Sequence, residues 1–367
     1  MSQNVARQAN GAGVLVSVVV IGRNEGSRLM ACLDAIERMS LPASVAEVIY
    51  VDSDSVDGSR ERAAARGVKV LHVRPERPSA ALGRNAGWRA ASGEYILFLD
   101  GDTELHPQFV ERALQPFEYP EVAIVWGHRR ESRPEQSVYV RVLDLDWIYP
   151  PGDSEFCGGD ALVRRSVLEA VDGFDETLIA GEEPEMCRRI RATGGRIVHL
   201  DIPMTRHDLA ISRFSAYWRR AFRAGHAYAE VAARFRNTPD PLWQRDVRRN
   251  QIHGGGLIAG AVLWIGLVLG GNPLGLAAAA AMMLAGLALV LRSTARNAWK
   301  SDSLGTRFLY AIHSHFQQIP ILCGQLSQRW DAHRGHQRRL IEYKSVTAEA
   351  GGVNSGKVIS SDTTKRA

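Results

Sequence analysis

The stretch GEYILFLDGDTEL, Gly93 to Leu105, decides how the rest of the chain is read. Tyr95 to Leu99 are apolar or aromatic without a break, and they lead straight into Asp100, Gly101 and Asp102. An uninterrupted apolar run of this length fits a strand buried on both faces. Carboxylates at i and i+2 of an extended segment share a face. Two such groups repel each other unless a cation lies between them. Hard divalent cations take oxygen ligands, and magnesium keeps positions open to phosphate oxygens. The pattern therefore points to a metal that carries a substrate diphosphate. The alternative is a polar turn in which Asp102 caps the next helix.

Working outward, the first half alternates strand and helix. VLVSVVVI (Val14–Ile21), EVIYVD (Glu47–Asp52) and VKVLHV (Val68–Val73) read as strands. Arg28–Met39, Val56–Arg66 and Ser79–Ser92 read as the helices between them. Continuous apolar strands joined by short helices predict an α/β fold, with a doubly wound, mainly parallel sheet covered by helices on both faces. Ligands of such sheets sit beyond the carboxyl ends of the strands. Asp52 and Asp100 end two of them and are expected in one crevice.

The chain has 367 residues and a net charge of +5, and 45% of it is hydrophobic, enough for roughly two units with a real core. Its four cysteines (Cys32, Cys157, Cys187, Cys323) are far apart, which argues against a disulfide framework or zinc site and for a reducing compartment. The N-terminus lacks a basic start followed by an apolar run, so no signal peptide is expected. Residues 1–199 carry an excess of acid and residues 200–344 an excess of base. The basic half suits an anionic partner, and an anionic membrane surface is preferred to nucleic acid.

Gly255–Gly271 and Leu274–Leu291 contain no charged residue and are joined by a tight GNP turn. At about 1.5 Å per residue the second is about 27 Å long, close to a hydrocarbon core of about 30 Å. A membrane hairpin is predicted, with a buried hairpin of a soluble domain as the alternative. Arg245, Arg248 and Arg249 precede the first span, and Arg292, Arg296 and Lys300 follow the second. The positive-inside rule then makes both flanks cytoplasmic, so the expectation is a multi-pass inner-membrane protein with its catalytic domain in the cytoplasm. His313, His315, Gln317, Gln318 and Pro320 argue against a third span over Phe308–Leu326, which is read as lying along the membrane surface. The divisions expected are a flexible N-terminus (1–13), a catalytic domain (14–236), a basic juxtamembrane segment (237–254), the two spans (255–291), a basic segment with an interfacial helix (292–344) and a disordered tail (345–367).

Four blocks in order resemble the family 2 glycosyltransferases, inverting enzymes of the GT-A fold, in their membrane-anchored bacterial form. They are VVVIGRNEGSRL, VIYVDSDSVDGS, GRNAGWRAASGEYILFLDGDTEL and GGDALVRRSVLEAVDGFDETLIAGEEPEMCRRI, and the resemblance covers roughly Val14 to Arg236. It implies a nucleotide-diphosphate sugar donor, bound through Asn24, Glu25, Asp52, Asp54, Arg84, Asn85 and Asp100. It implies a divalent metal (Mn or Mg) on Asp100 and Asp102, with His207, roughly two dozen residues beyond the base, as a further ligand. The general base is usually the Asp of a Glu-Asp pair; here the pair is Glu182-Glu183, and Glu183 takes that position. Gly158, Gly159, Asp160 and Glu182 fall on the acceptor side. The activity implied is hexosyl transfer to an acceptor hydroxyl, with a lipid-linked or glycan acceptor in cell-surface polysaccharide or glycolipid synthesis. The Q-x-x-R-W of processive synthases is missing, since LSQRW (Leu326–Trp330) has Leu where Gln belongs, so transfer of one sugar per encounter is favoured. The glycine-rich loop of a dinucleotide-binding dehydrogenase is also missing. A non-catalytic membrane-associated nucleotide-sugar-binding protein or adaptor is the remaining alternative.

Overall fold

The computed structural model describes residues 16–40, 45–74 and 76–335, so the segments expected at 1–13 and 345–367 lie outside the described residues. The chain opens with strand β1 (Val16–Gly22), helix α1 (Ser27–Glu37), β2 (Val45–Asp52), α2 (Ser59–Ala65), β3 (Lys69–His72), α3 (Ala80–Ala90) and β4 (Tyr95–Asp100). Val18, Val19, Val20, Ile49, Val51, Ile96, Leu97 and Leu99 are fully buried, which is why these strands read as unbroken apolar runs. Ser79 caps α3 by accepting the Leu82 N–H at 3.3 Å.

The strand order β3-β2-β1-β4 is parallel throughout. The chain winds to one side of β1 and then returns to the other, so the switch point lies between β1 and β4. The register sets Gly22 opposite Asp52 and Ile21 opposite Asp100. Both acidic strand ends therefore stand level, beside the loop that leaves β1.

Beyond β4 the sheet becomes mixed. The next elements are β5 (Thr103–Leu105), α4 (Phe109–Ala113), β6 (Val122–Glu131), α5 (Val138–Asp144), β7 (Gly152–Asp153), β8 (Ala161–Arg164), α6 (Arg165–Ala170), α7 (Glu182–Ala192) and β9 (Arg196–His207). β8 is antiparallel to β4 and β6, whereas β6 and β9 run parallel. The short β5 lies antiparallel against the end of β9, with Thr103 opposite His207. That pairing carries His207 to the carboxylates that end β4.

The remaining helices are α8 (Phe214–Arg234), α9 (Gln244–Gly270), α10 (Pro273–Arg296), α11 (Leu304–Phe316) and α12 (Gln318–His333). α9 and α10 form the expected hairpin. Asn272 caps α10 by accepting the Gly275 N–H at 2.7 Å, and Pro273 occupies its first turn. Only 6% and 11% of their most apolar windows are buried, and Val262, Leu269, Leu274 and Leu284 stand bare. The hairpin therefore differs from one packed in the core of a soluble domain. α9 also begins earlier than expected, so the basic segment from Gln244 is already helical. The 308–326 stretch is divided between α11 and α12 on either side of Gln317. Both helices carry a buried side, with Tyr310 and Ala311 on α11 and Ile321 and Leu322 on α12.

α8 and α12 touch backbone to backbone. A Cβ on Gly225 would lie 2.0 Å from the Ile321 carbonyl oxygen, and one on Gly324 would lie 2.1 Å from that of Phe222. Neither obstacle is a flexible side chain, so an added methyl must push the helices apart. Gly225→Ala is expected to cost about 1–3 kcal/mol. The check is thermal unfolding of the purified protein, where the midpoint should fall by about 5 °C. An unchanged midpoint would show that the two helices do not meet this closely.

Candidate active site

Asp100 and Asp102 stand at the switch point, joined there by His207. Among the described residues these three offer ligand atoms within 4.8 Å of one another. Behind them lies Asp160, wholly buried just ahead of β8. It accepts the Asp100 N–H at 3.0 Å and the Thr205 hydroxyl at 2.8 Å, and it pairs with His207 Nε2 at 2.6 Å. That carboxylate–imidazole pair fixes the ring and leaves Nδ1 for a ligand, the usual outer-shell arrangement of a metal-binding histidine. Asp160 was expected on the acceptor side; the strand register sets it behind the carboxylate cluster, which its bonds brace.

The electrostatics of the cluster agree with a cation site. Burial raises the Asp100 carboxyl, Arg84 draws it back, and Asp160 and Asp102 push it up again, leaving it above its ordinary value. Burial would lower His207, but Asp160, Asp102 and Asp100 outweigh it and hold the imidazole above its usual value. Burial would raise Asp160 as well, but His207 and Arg129 hold its carboxyl down to about 2, so the negative charge left incompletely balanced is that at Asp100. Two carboxylates and one imidazole form a donor set that suits Mn2+ or Mg2+ better than a thiolate-seeking metal.

Arg84, on α3, ties this cluster to α7. Its guanidinium donates to Asp100 Oδ1 at 2.9 Å and to Glu182 Oε1 at 2.8 Å. Glu183, one residue on, accepts the Cys157 N–H at 2.6 Å and the Cys187 thiol at 3.0 Å, both on Oε1. Among the described residues its Oε2 makes no hydrogen bond, and the side chain lines the cavity. Cys157 and Cys187 are 3.6 Å apart, sulfur to sulfur. Burial, reinforced by Glu183, pushes both thiols above their ordinary value, so they stay protonated and Cys187 can serve as a donor. Glu185 turns away to Arg189 at 2.6 Å.

The nucleotide-side residues divide. Asn24, Glu25, Arg84 and Asp100 line the cavity, together with Gly159. Asn24, at a positive φ of 55°, accepts the Val56 N–H at 2.9 Å and so clasps the loop after β2. Asp52 is wholly buried, accepting the Ser55 N–H at 3.0 Å and the Tyr50 hydroxyl at 3.1 Å, so it shapes that loop from within. Asp54 lies outside the cavity, bonded to His72 and Arg74. Asn85 is turned away from it as well. Its amide donates to the Phe174 carbonyl and to Glu176, while its Oδ1 accepts from Phe174 N–H and the Trp88 indole. These bonds staple the loop before α7 to α3.

The cavity holds about 880 Å³ and extends from Asn24, Glu25 and Asp100, past Glu183, to the base of the α9–α10 hairpin. Its far wall includes Arg129, Asp146, Tyr149, Arg220, Arg223 and Lys300. Apart from Lys300, read only as a basic flank of the second span, none of these was singled out in the sequence, because they come from β6, the turn after α5, α8 and the turn beyond α10, with no shared motif.

Residues 17–171 match the family described as Glycosyl transferase family 2. The pre-mycofactocin glycosyltransferase of Mycobacterium tuberculosis is 28% identical over 338 residues, 86% of this chain and 67% of its own length. The glycosyltransferase AglE of Haloferax volcanii is 26% identical over 226 residues, 59% of this chain and 73% of its own. In architecture the chain resembles the mannosyltransferase PcManGT of Pyrobaculum calidifontis, solved with GDP-Man and Mn2+, at a TM-score of 0.61 and 19% identity. That likeness covers 90% of this chain and 93% of the other, and so extends to the C-terminal helices.

Proposed function

Because the chain is a family 2 glycosyltransferase, we propose that it moves a sugar from a nucleotide-diphosphate donor to an acceptor hydroxyl, with inversion and with a divalent metal, at a membrane surface. The observation that carries this reading is the joining of Asp100, Asp102 and His207 at the switch point, braced by Asp160, with Asp100 lining the same cavity as Glu183.

The nucleoside lies over the Asn24–Glu25 loop and the segment shaped by Asp52, and the diphosphate points to Asp100 and Asp102. A divalent cation on these carboxylates and His207 would neutralise the charge that develops on the departing diphosphate. Arg84 holds Asp100 and Glu182 in register, so the donor side and α7 move as one body. The acceptor oxygen attacks the anomeric carbon as the bond to the diphosphate breaks, and a single displacement inverts that carbon. Glu183 takes the hydroxyl proton on the carboxylate oxygen that Cys157 and Cys187 leave available.

The bare α9–α10 hairpin supports insertion in a bilayer, and the arginines at both its ends support a cytoplasmic catalytic half. This topology keeps the cavity where nucleotide sugars are made and faces it to the membrane, which favours a lipid-linked acceptor or a growing surface glycan. α11 and α12 would then rest at the surface, where basic residues meet anionic lipid. The test is a donor-hydrolysis screen of the purified protein against a panel of nucleotide sugars with Mn2+ or Mg2+. Release of a nucleoside diphosphate from one donor is expected. Nucleotide binding without turnover of any donor, even with membrane extract as acceptor, would instead describe a binding protein.

A further inference from the structure

We infer that the acceptor carries a phosphate group and that Arg129 and Arg220 receive it, beside Glu183 and next to the membrane hairpin. The inference rests on the glycosyl-transfer reading and names the acceptor chemistry that reading leaves open.

The charges of Arg129, Arg220, Asp146 and Glu183 all act on Tyr149, which places the four in one neighbourhood. Arg129 projects from β6 with its guanidinium 5.4 Å over the Trp126 ring. It presses so close to Gly158 that a Cβ there would lie 2.0 Å from its Nη1. Its Nε is buried with no hydrogen-bond partner among the described residues. Neither Arg129 nor Arg220 makes a salt bridge among the described residues, whereas Arg84, at the other end of the cavity, has two.

The charge of Arg220 acts on Asp146 and that of Arg129 on Asp160, but neither arginine closes to a salt bridge with these acids among the described residues. Asp146 accepts from the Tyr310 hydroxyl at 3.1 Å and pairs with His313 at 3.2 Å. Glu183 is held by Cys157 and Cys187. Lys300 adds another positive charge and donates to the Leu145 carbonyl at 2.6 Å. Arg129, Arg220 and Lys300 thus outnumber Asp146 and Glu183, the carboxylates on this part of the wall. A recessed guanidinium without an anion is costly, and planar guanidinium forks match phosphate oxygens. A neutral sugar would call for mixed donors and acceptors instead of surplus cations. The donor diphosphate has its own place at Asp100, Asp102 and His207. A second anion is therefore expected, within a few bonds of the hydroxyl that Glu183 deprotonates.

A membrane lipid headgroup or a soluble sugar phosphate would supply this chemistry. The test uses the full chain in nanodiscs of neutral lipid and measures binding of a polyprenyl monophosphate, the matching polyprenol and inorganic phosphate. The prenyl phosphate should bind at least tenfold more tightly than the prenol. Arg220→Gln should abolish that preference, and Arg220→Lys should keep most of it. Binding of a nucleoside diphosphate reports whether each variant is folded. Competition by inorganic phosphate as strong as that of the lipid would support the phosphate site and point to a soluble acceptor. Equal binding of prenol and prenyl phosphate, or a preference that survives both Arg129→Gln and Arg220→Gln, would overturn the inference. Failure of every donor to turn over would defeat the transferase reading instead, without touching this measurement.

Discussion

Replacing Asp102 by asparagine should lower sugar transfer by roughly a thousandfold at saturating Mn2+ or Mg2+. The side chain keeps its shape but loses one of the two carboxylates proposed to hold the metal. A metal that stabilises developing charge contributes several kcal/mol to the barrier, and each 1.36 kcal/mol is tenfold in rate. Asp102 is almost fully buried beside Asp100 and His207, so no neighbouring acid can take over its position by a small shift. Without metal, the same change removes a charge from a crowded acidic cluster. The metal-free variant should therefore unfold at or above the temperature of the parent. Transfer measured by nucleoside diphosphate release checks the first part, and a thermal melt in chelator checks the second. Undiminished transfer would remove Asp102 from the mechanism, while a large fall in the melting midpoint would assign it a structural task.

Glu183→Gln should lower turnover by about two to four orders of magnitude, with donor affinity nearly unchanged. Glutamine can still accept the Cys157 N–H and the Cys187 thiol, so the first turn of α7 keeps its place while the base is lost. The neighbouring acids provide the contrast. Glu182 is committed to Arg84 and Glu185 to Arg189. Glu182→Gln should act through Arg84 and weaken donor binding. Rates at saturating donor and acceptor, with donor affinity measured separately, distinguish the two patterns. A loss of turnover at Glu182 or Glu185 that spares Glu183 would move the base assignment.

The parallel half of the sheet was legible because its strands are buried on both faces and end in acidic residues. Tyr95–Asp100 and Glu47–Asp52 needed no partner to be recognised. The hairpin was legible for a similar reason, as long uncharged runs have few other uses. The brace was not. Asp160 and His207 meet only because β8 runs antiparallel to β4 while β5 folds back on β9, and no local pattern encodes either pairing. Spacing likewise gave no sign that Cys157 and Cys187, thirty residues apart, would meet at Glu183. Asn85 shows what a motif leaves out. It sits in a motif that suggests a ligand, but a fully buried amide satisfies its bonds first, here with Phe174, Glu176 and Trp88. The divided helix around Gln317 was hidden because its apolar residues serve two buried faces on separate helices.

The most direct test of metal-assisted donor binding at the switch point is calorimetric titration of the purified protein with a nucleoside diphosphate, with and without Mn2+. The nucleoside diphosphate of the true donor is expected to bind at least tenfold more tightly with Mn2+, and Asp102→Asn to abolish the difference. Equal affinity with and without metal, or a metal effect that persists in Asp102→Asn, would contradict it.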